Sequence, residues 1–223
     1  MADLSQARVL MLAADGFETV ELFEPRKALE AAGAKVTLAS IKTDPIQGMK
    51  GDINKAETAT PDLTLDEVDT DDYDALVLPG GVANPDTMRQ EERAIEIITE
   101  FMEDGKIIAA ICHAPWLLAE ADVIDGRRVT SFPSIRTDLE NACADVVDEA
   151  VVVDGNLITS RKPDDIPAFS KAIIAALAEE LADEPVDWAV PLPLAGGGRG
   201  GERALTSMAA PPPTPPASGR GAC

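Results

Sequence analysis

The chain has 223 residues, 45% of them hydrophobic, which suffices for a single catalytic-size domain with a sizeable core. Its 19 Lys and Arg against 40 Asp and Glu leave a formal charge of −21, a surface that a nucleic-acid phosphate backbone or an anionic membrane would repel. The opening Met-Ala-Asp-Leu-Ser-Gln-Ala-Arg has no basic region followed by a long apolar core, and no apolar run is long enough to span a bilayer, so a cytoplasmic protein is expected.

Short β-rich runs alternate with helical patterns, which predicts an α/β fold with a mostly parallel sheet covered on both faces. Val9–Ala13 reads as the first strand. Glu21–Ala32 reads as a helix with Leu22, Leu29 and Ala32 on one side, ending at Gly33. Lys35–Ser40 is the second strand, and Pro45–Glu57 an excursion resembling a hairpin. Ala75–Leu78 is a strand that ends in Pro79-Gly80-Gly81. A helix over Thr87–Glu103 follows, with Ile95, Ile98 and Met102 as its apolar stripe. The run Ile107-Ile-Ala-Ala-Ile111 leads into Cys112, His113 and a helix over Ala114–Ala121. Then come a short strand at Arg128–Thr130, a helix at Ile135–Asn141 and a hairpin over Val151–Thr159 that turns at Asp154-Gly155-Asn156. Asp164 or Asp165 is expected to cap a last helix running to Ala182. This divides the chain into a folded domain over 1–184 and a disordered Gly/Pro-rich tail over 185–223. The tail holds Gly196-Gly-Gly-Arg-Gly-Gly201 and Pro211-Pro-Pro-Thr-Pro-Pro216, a composition unable to bury enough surface to offset ordering entropy.

The candidate chemistry starts at Cys112. A thiol where a buried strand gives way to a helix meets unpaired N–H groups and a partial positive charge, which lower a thiol pKa and can hold a developing oxyanion. Parallel sheets also bind ligands beyond the carboxyl ends of their strands, so this position suits a nucleophile better than a packing cysteine. His113 is the chain's one histidine and therefore the sole conventional base for Cys–His chemistry. Its backbone N–H is a second candidate, as an oxyanion donor following the nucleophile. The three cysteines, 112, 143 and 223, show no Cys-x-x-Cys spacing and suggest neither a zinc site nor a disulfide framework; no metal or other cofactor is expected. Asp69-Thr-Asp-Asp-Tyr-Asp74 lacks the spacing of a calcium loop and reads as a solvated acidic turn.

Five motifs occur in order: Asp15-Gly-Phe-Glu18, Leu76-Val-Leu-Pro-Gly-Gly81, Ala110-Ile-Cys-His-Ala-Pro115, Thr130-Ser-Phe-Pro-Ser134 and Asp154-Gly-Asn-Leu-Ile-Thr-Ser-Arg161. Together they resemble the PfpI family, the intracellular-protease-like branch of the DJ/PfpI superfamily, which also includes bacterial general stress proteins. The resemblance covers residues 7–182. It implies a flavodoxin-like three-layer sandwich related to class I glutamine amidotransferases, and assembly into homo-oligomers, dimers or larger rings. It implies that Glu18 reaches the nucleophilic sulfur and shares a proton with it, a coupled pair expected to rest as protonated Glu18 beside a Cys112 thiolate. It implies that the Gly81 N–H completes an oxyanion pocket. It further implies an acidic residue, matched by Asp86, that orients the histidine from a neighbouring subunit, although Asp86 serves equally well as a helix N-cap. Cys143 stands where the family pattern has glycine.

Two functions of different class follow. One is a cysteine-dependent stress-protection enzyme in which the Cys112 thiolate attacks a carbonyl of a peptide, a glycated group or a 2-oxoaldehyde. The other is a non-enzymatic redox-sensing chaperone that works through oxidation of Cys112.

Overall fold

Ala75–Leu78 and Ile107–Ile111 are apolar at every position and buried at every position. Strands with no polar face need cover on both sides, and helices supply it here. A computed structural model describes residues 3–183. Its elements in chain order begin with β1 (Arg8–Leu12), β2 (Phe17–Glu18), α1 (Thr19–Ala31), β3 (Lys35–Ser40), β4 (Ile46–Lys50), β5 (Asn54–Ala59) and β6 (Leu63–Thr64). They continue through β7 (Ala75–Leu78), α2 (Ala83–Met88), α3 (Glu92–Glu103), β8 (Ile107–Ile111), α4 (Pro115–Glu120), β9 (Arg128–Val129), α5 (Arg136–Asn141), β10 (Asp145–Val146), β11 (Val151–Asp154), β12 (Leu157–Ser160) and α6 (Ile166–Asp183). The compact unit ends at Asp183, and the Gly/Pro-rich segment 185–223 lies outside the described residues.

The main sheet has seven strands in the order β11-β12-β8-β7-β1-β3-β6, all parallel except β11, which pairs antiparallel with β12. Side chains alternate between its faces. Val9, Met11, Val77 and Ala109 join Leu22 and Leu29 of α1 and Phe169, Ile173 and Leu177 of α6. Leu10, Leu12, Leu76, Leu78 and Ile108 join Ile97, Ile98 and Phe101 of α3 and Leu117 and Leu118 of α4. This is the flavodoxin-like sandwich. Each fully buried large apolar side chain contributes roughly 1.5–3 kcal/mol. The chain crosses from one flank of β1 to the other between β3 and β7, so the loops after β1, β7 and β8 converge at one edge of the sheet.

The expected helix Thr87–Glu103 is two helices. Pro85 sits in the first turn of α2, which starts early at Ala83, and Glu91 is extended at φ −90°, ψ 109°, which separates α2 from α3. The buried face of α3 is Ala94, Ile97, Ile98 and Phe101, leaving Ile95 and Met102 only partly covered, because the bulk of Phe101 sets which side turns inward. The first helix begins at Thr19, two residues earlier than the pattern suggested. Of the two proposed caps for the last helix, Asp165 lies in the 3-10 turn before it and gives its carboxylate to Arg161 at 2.9 Å. In the acidic turn, Asp69 caps Asp71 N–H and Asp72 pairs with Arg8.

Candidate active site

Strand β8 runs straight into Cys112, whose φ of +65° is left-handed and rare for a residue with a side chain. The kink interrupts the strand's alternation: Ile111 and Cys112 both fall on the α1/α6 side. Such a backbone persists only when its surroundings over-determine it. Here the Cys112 N–H donates to Ser160 C=O at 3.1 Å, and the Cys112 C=O accepts from Phe132 N–H at 2.9 Å.

The loop after β7 closes over the sulfur. Gly80 has no room for a side chain, since a Cβ there would fall 2.7 Å from Cys112 Cβ, 2.7 Å from Glu21 Oε2 and 2.8 Å from Ile111 O. Gly81, at φ +81°, would place a Cβ 2.4 Å from Gly16 O. Two glycines therefore let the backbone approach closely enough for Gly81 N–H to reach the Cys112 sulfur, where His113 N–H joins it. These are the two amides that the sequence nominated as oxyanion donors.

The carboxyl against the sulfur is Glu21, not Glu18. Glu21 is fully buried on the inner face of α1 with Leu22, Pro25 and Leu29. Its Oε2 accepts from Gly80 N–H at 2.9 Å, its carboxyl hydrogen-bonds with Cys112, and its Oε1 has no further partner. Burial pushes its pKa from 4.5 up to about 8, against the pull of Cys112 and Gly80 N–H and with help from the charges of Glu18 and Asp52, which favours the protonated acid. Glu18 ends β2, which pairs with β4, and there its carboxylate accepts Gly51 N–H at 2.7 Å. Burial raises the Glu18 pKa as well, opposed by that Gly51 bond. Glu18 thus braces the β4–β5 turn, while Asp52 of the same turn accepts Val82 N–H at 2.8 Å and so holds the loop that carries Gly81.

Cys112 as a residue is 6% exposed. Burial pushes the Cys112 thiol up, a Glu21 charge would push it further, and the amides of Gly81 and His113 pull it back. The downward shift expected from a helix end does not emerge. Helix α4 is six residues long and starts three residues after Cys112, too short and too far to outweigh desolvation.

His113 Nδ1 lies 3.2 Å from Cys112 Sγ, so adjacent residues at this turn do converge. The imidazole stacks on Phe132 at 4.6 Å between centroids and meets Trp116 edge-on at 5.5 Å. Burial lowers its pKa, and the Asp52 charge partly offsets that by favouring the protonated ring. Its other nitrogen, Nε2, is 3.0 Å from Ser134 Oγ. Asp86 is not part of this arrangement within one subunit. It sits exposed in α2 and lines an open depression of about 770 Å³ with Asp15, Gln47, Met49, Asp52 and Val82. Sequence reasoning missed Glu21 and Ser134. Ser134 closes the fourth motif and was visible there as a hydroxyl two residues past an aromatic.

Cys143, at φ +64°, occupies a backbone conformation that favours glycine, which accounts for the family pattern at that position. Among the described residues, no three His, Cys, Asp or Glu side chains gather in a way that would hold a metal ion, and no helix is long and apolar enough to cross a membrane.

The model of the DJ-1/PfpI family matches residues 7–176. The chain belongs to this family. Among DJ-1/PfpI proteins it is 45% identical over 170 residues to a protein of Pyrococcus abyssi named deglycase PYRAB04690, covering 76% of this chain and 99% of that one. It is 46% identical over 162 residues to general stress protein 18 of Bacillus subtilis, covering 72% of this chain and 92% of its relative. The crystal structure of Drosophila melanogaster DJ-1beta superposes with a TM-score of 0.71 at 33% identity, over 79% of this chain and 95% of that one.

Proposed function

We propose that this DJ-1/PfpI protein is a cysteine-dependent stress-protection enzyme whose Cys112 adds to an electrophilic carbonyl carbon, with glycated groups and 2-oxoaldehydes as the substrate class. The observation that carries this reading is the set of groups around one sulfur: the amides of Gly81 and His113, the buried Glu21 carboxyl and the His113 ring at 3.2 Å. In the proposed step a bond forms between Sγ and the carbonyl carbon. The thiol proton passes to His113 Nδ1, and the carbonyl π pair moves onto oxygen, where the two amides stabilise it. The proton held by His113 then neutralises that oxygen, giving a hemithioacetal. Protonated Glu21 donates to the sulfur as it becomes anionic, opposing the cost of a buried charge.

The deglycase name of the Pyrococcus relative favours glycated groups over peptides. The redox-sensing alternative draws less support, because the imidazole, the buried carboxyl and the two amides around Cys112 serve addition to a carbonyl, which oxidation of the thiol does not need. Self-association is part of the proposal. Exposed Ile53 at the hairpin tip and exposed Val82, whose N–H is bonded to the neighbouring Asp52, are apolar side chains that we place against a second copy. Sedimentation of the wild type and Ile53→Asp tests this, and a monomeric wild type would refute it. For the chemistry, turnover of methylglyoxal, of a methylglyoxal-treated arginine peptide and of a fluorogenic peptide is compared in wild type, Cys112→Ser and His113→Ala. The proposal expects the first two substrates to be consumed and Cys112→Ser to be inactive. Undiminished turnover by Cys112→Ser removes it.

A further inference from the structure

We infer that Asn84 is a positioning residue for the proposed carbonyl addition: its side-chain amide holds the peptide between Gly80 and Gly81 in the orientation that aims the Gly81 N–H at the Cys112 sulfur. This rests on the reading of Cys112 as the nucleophile and of that N–H as an oxyanion donor. Asn84 lies in the first turn of α2 and is fully buried. Its whole amide is spent on backbone. Nδ2 donates to Pro79 C=O at 2.8 Å and to Gly80 C=O at 3.1 Å, while Oδ1 accepts Ala14 N–H at 2.7 Å. One side chain thus ties the loop after β7 to the loop after β1, and these loops meet at the same edge of the sheet.

A trans peptide is planar, with its C=O and N–H pointing in opposite directions, so whatever fixes Gly80 C=O also decides where Gly81 N–H points. Two glycines flank this plane, and without a Cβ on either side the chain's own sterics do little to choose between its two faces. The surroundings choose. Gly80 C=O accepts from Asn84 Nδ2 and, at 3.3 Å, from Glu18 N–H, while Gly80 N–H is held by Glu21 Oε2 at 2.9 Å. Turning the plane over would place a carbonyl oxygen where the oxyanion has to form and would leave one Asn84 Nδ2 hydrogen buried without an acceptor. An amide is the group this position requires. Aspartate has the same shape, but when ionised it offers no donor and sets its charge against two carbonyl oxygens.

Asn84→Asp keeps the shape and the acceptor for Ala14 N–H while removing both donors, and Asn84→Ser shortens the side chain without adding a charge. In both variants of the full chain the Gly80 carbonyl 13C and Gly81 amide resonances are expected to move. The kcat for methylglyoxal, per folded molecule, is expected to fall on the order of 100-fold with little change in KM, since losing one oxyanion donor costs about 10²–10³ in kcat. A residue that only supports the fold would lower the urea midpoint and leave the folded fraction with wild-type kcat and an unmoved Gly81 resonance. Wild-type kcat in the folded fraction overturns the inference, whatever happens to stability. The wild type gives a check that needs no variant to fold: both Asn84 side-chain protons are expected to exchange slowly with solvent, and rapid exchange overturns the inference as well. Turnover that survives Cys112→Ser would instead remove the underlying reaction and leave the Gly80 and Gly81 resonance shifts standing.

Discussion

Glu21→Gln separates a buried proton from a buried carboxyl. Glutamine keeps the shape of the protonated acid and an oxygen for Gly80 N–H, now 2.9 Å from Oε2, but cannot ionise. In the wild type, the folded state holds the Glu21 proton until about pH 8, whereas the unfolded chain releases it near 4.5. A group whose folded pKa is raised contributes stability that is fully present below the unfolded value and is lost as pH climbs through the folded one. At 1.36 kcal/mol for each pH unit, the wild type should lose about 3–4 kcal/mol from this residue between pH 5 and pH 8. The variant should lose none of it. Urea unfolding of both proteins at pH 5, 6, 7 and 8 measures the difference directly, since His113 and the remaining titrating groups are common to both and cancel. The stability gap should move in favour of Glu21→Gln by that amount as pH rises. A gap that stays constant across the range would show that Glu21 is ionised in the folded protein and would undo the protonated-acid account of the site.

Asp52→Asn removes a charge that raises both His113 and Glu21, so each pKa should fall; a single-histidine NMR titration reads the first, and a His113 pKa that rises would contradict the stated electrostatics. Gly80→Ala forces a methyl to within 2.7 Å of both Cys112 Cβ and Glu21 Oε2. Overpacking of this kind costs about 1–3 kcal/mol, so the variant should unfold at lower urea and its Cys112 should alkylate at a changed rate; wild-type values for both would mean that the loop is not held against the nucleophile.

Much of the fold was legible because period and punctuation agree. Lys35–Ser40 and Ala75–Leu78 were read with the boundaries they adopt, and the run ending at Ile111 could only be a strand buried on both faces. The failures lie where local patterns allow two answers. The apolar positions from Ala94 to Met102 support two adjacent stripes, and only packing against β7 and β8 chooses the one centred on Ile97, Ile98 and Phe101. Cys112 and His113 were proposed from their position at the end of a buried strand, and Gly81 from the family resemblance. Ser134 lies 21 residues from His113, and its contact depends on a turn anchored by a hydrogen bond to the Cys112 carbonyl, which no spacing encodes.

The choice between Glu18 and Glu21 turns on where a helix begins. Over these four residues the side-chain period changes from two to 3.6, so moving the start of α1 from Glu21 to Thr19 decides which carboxylate faces the sheet. With the helix starting at Thr19, Glu21, Pro25 and Leu29 follow one another at intervals of four, with Leu22 beside them, on the face that packs inward. A glutamate on that stripe would normally be selected against, because an unpaired buried carboxylate is among the most destabilising groups a core can hold. It is tolerated here because it stays protonated and because its one strong acceptor contact is to the glycine whose neighbour supplies an amide to the sulfur. An acid misplaced by the rules of helix patterning was therefore the clearest available sign of the site, and it needed only the correct first turn to be seen.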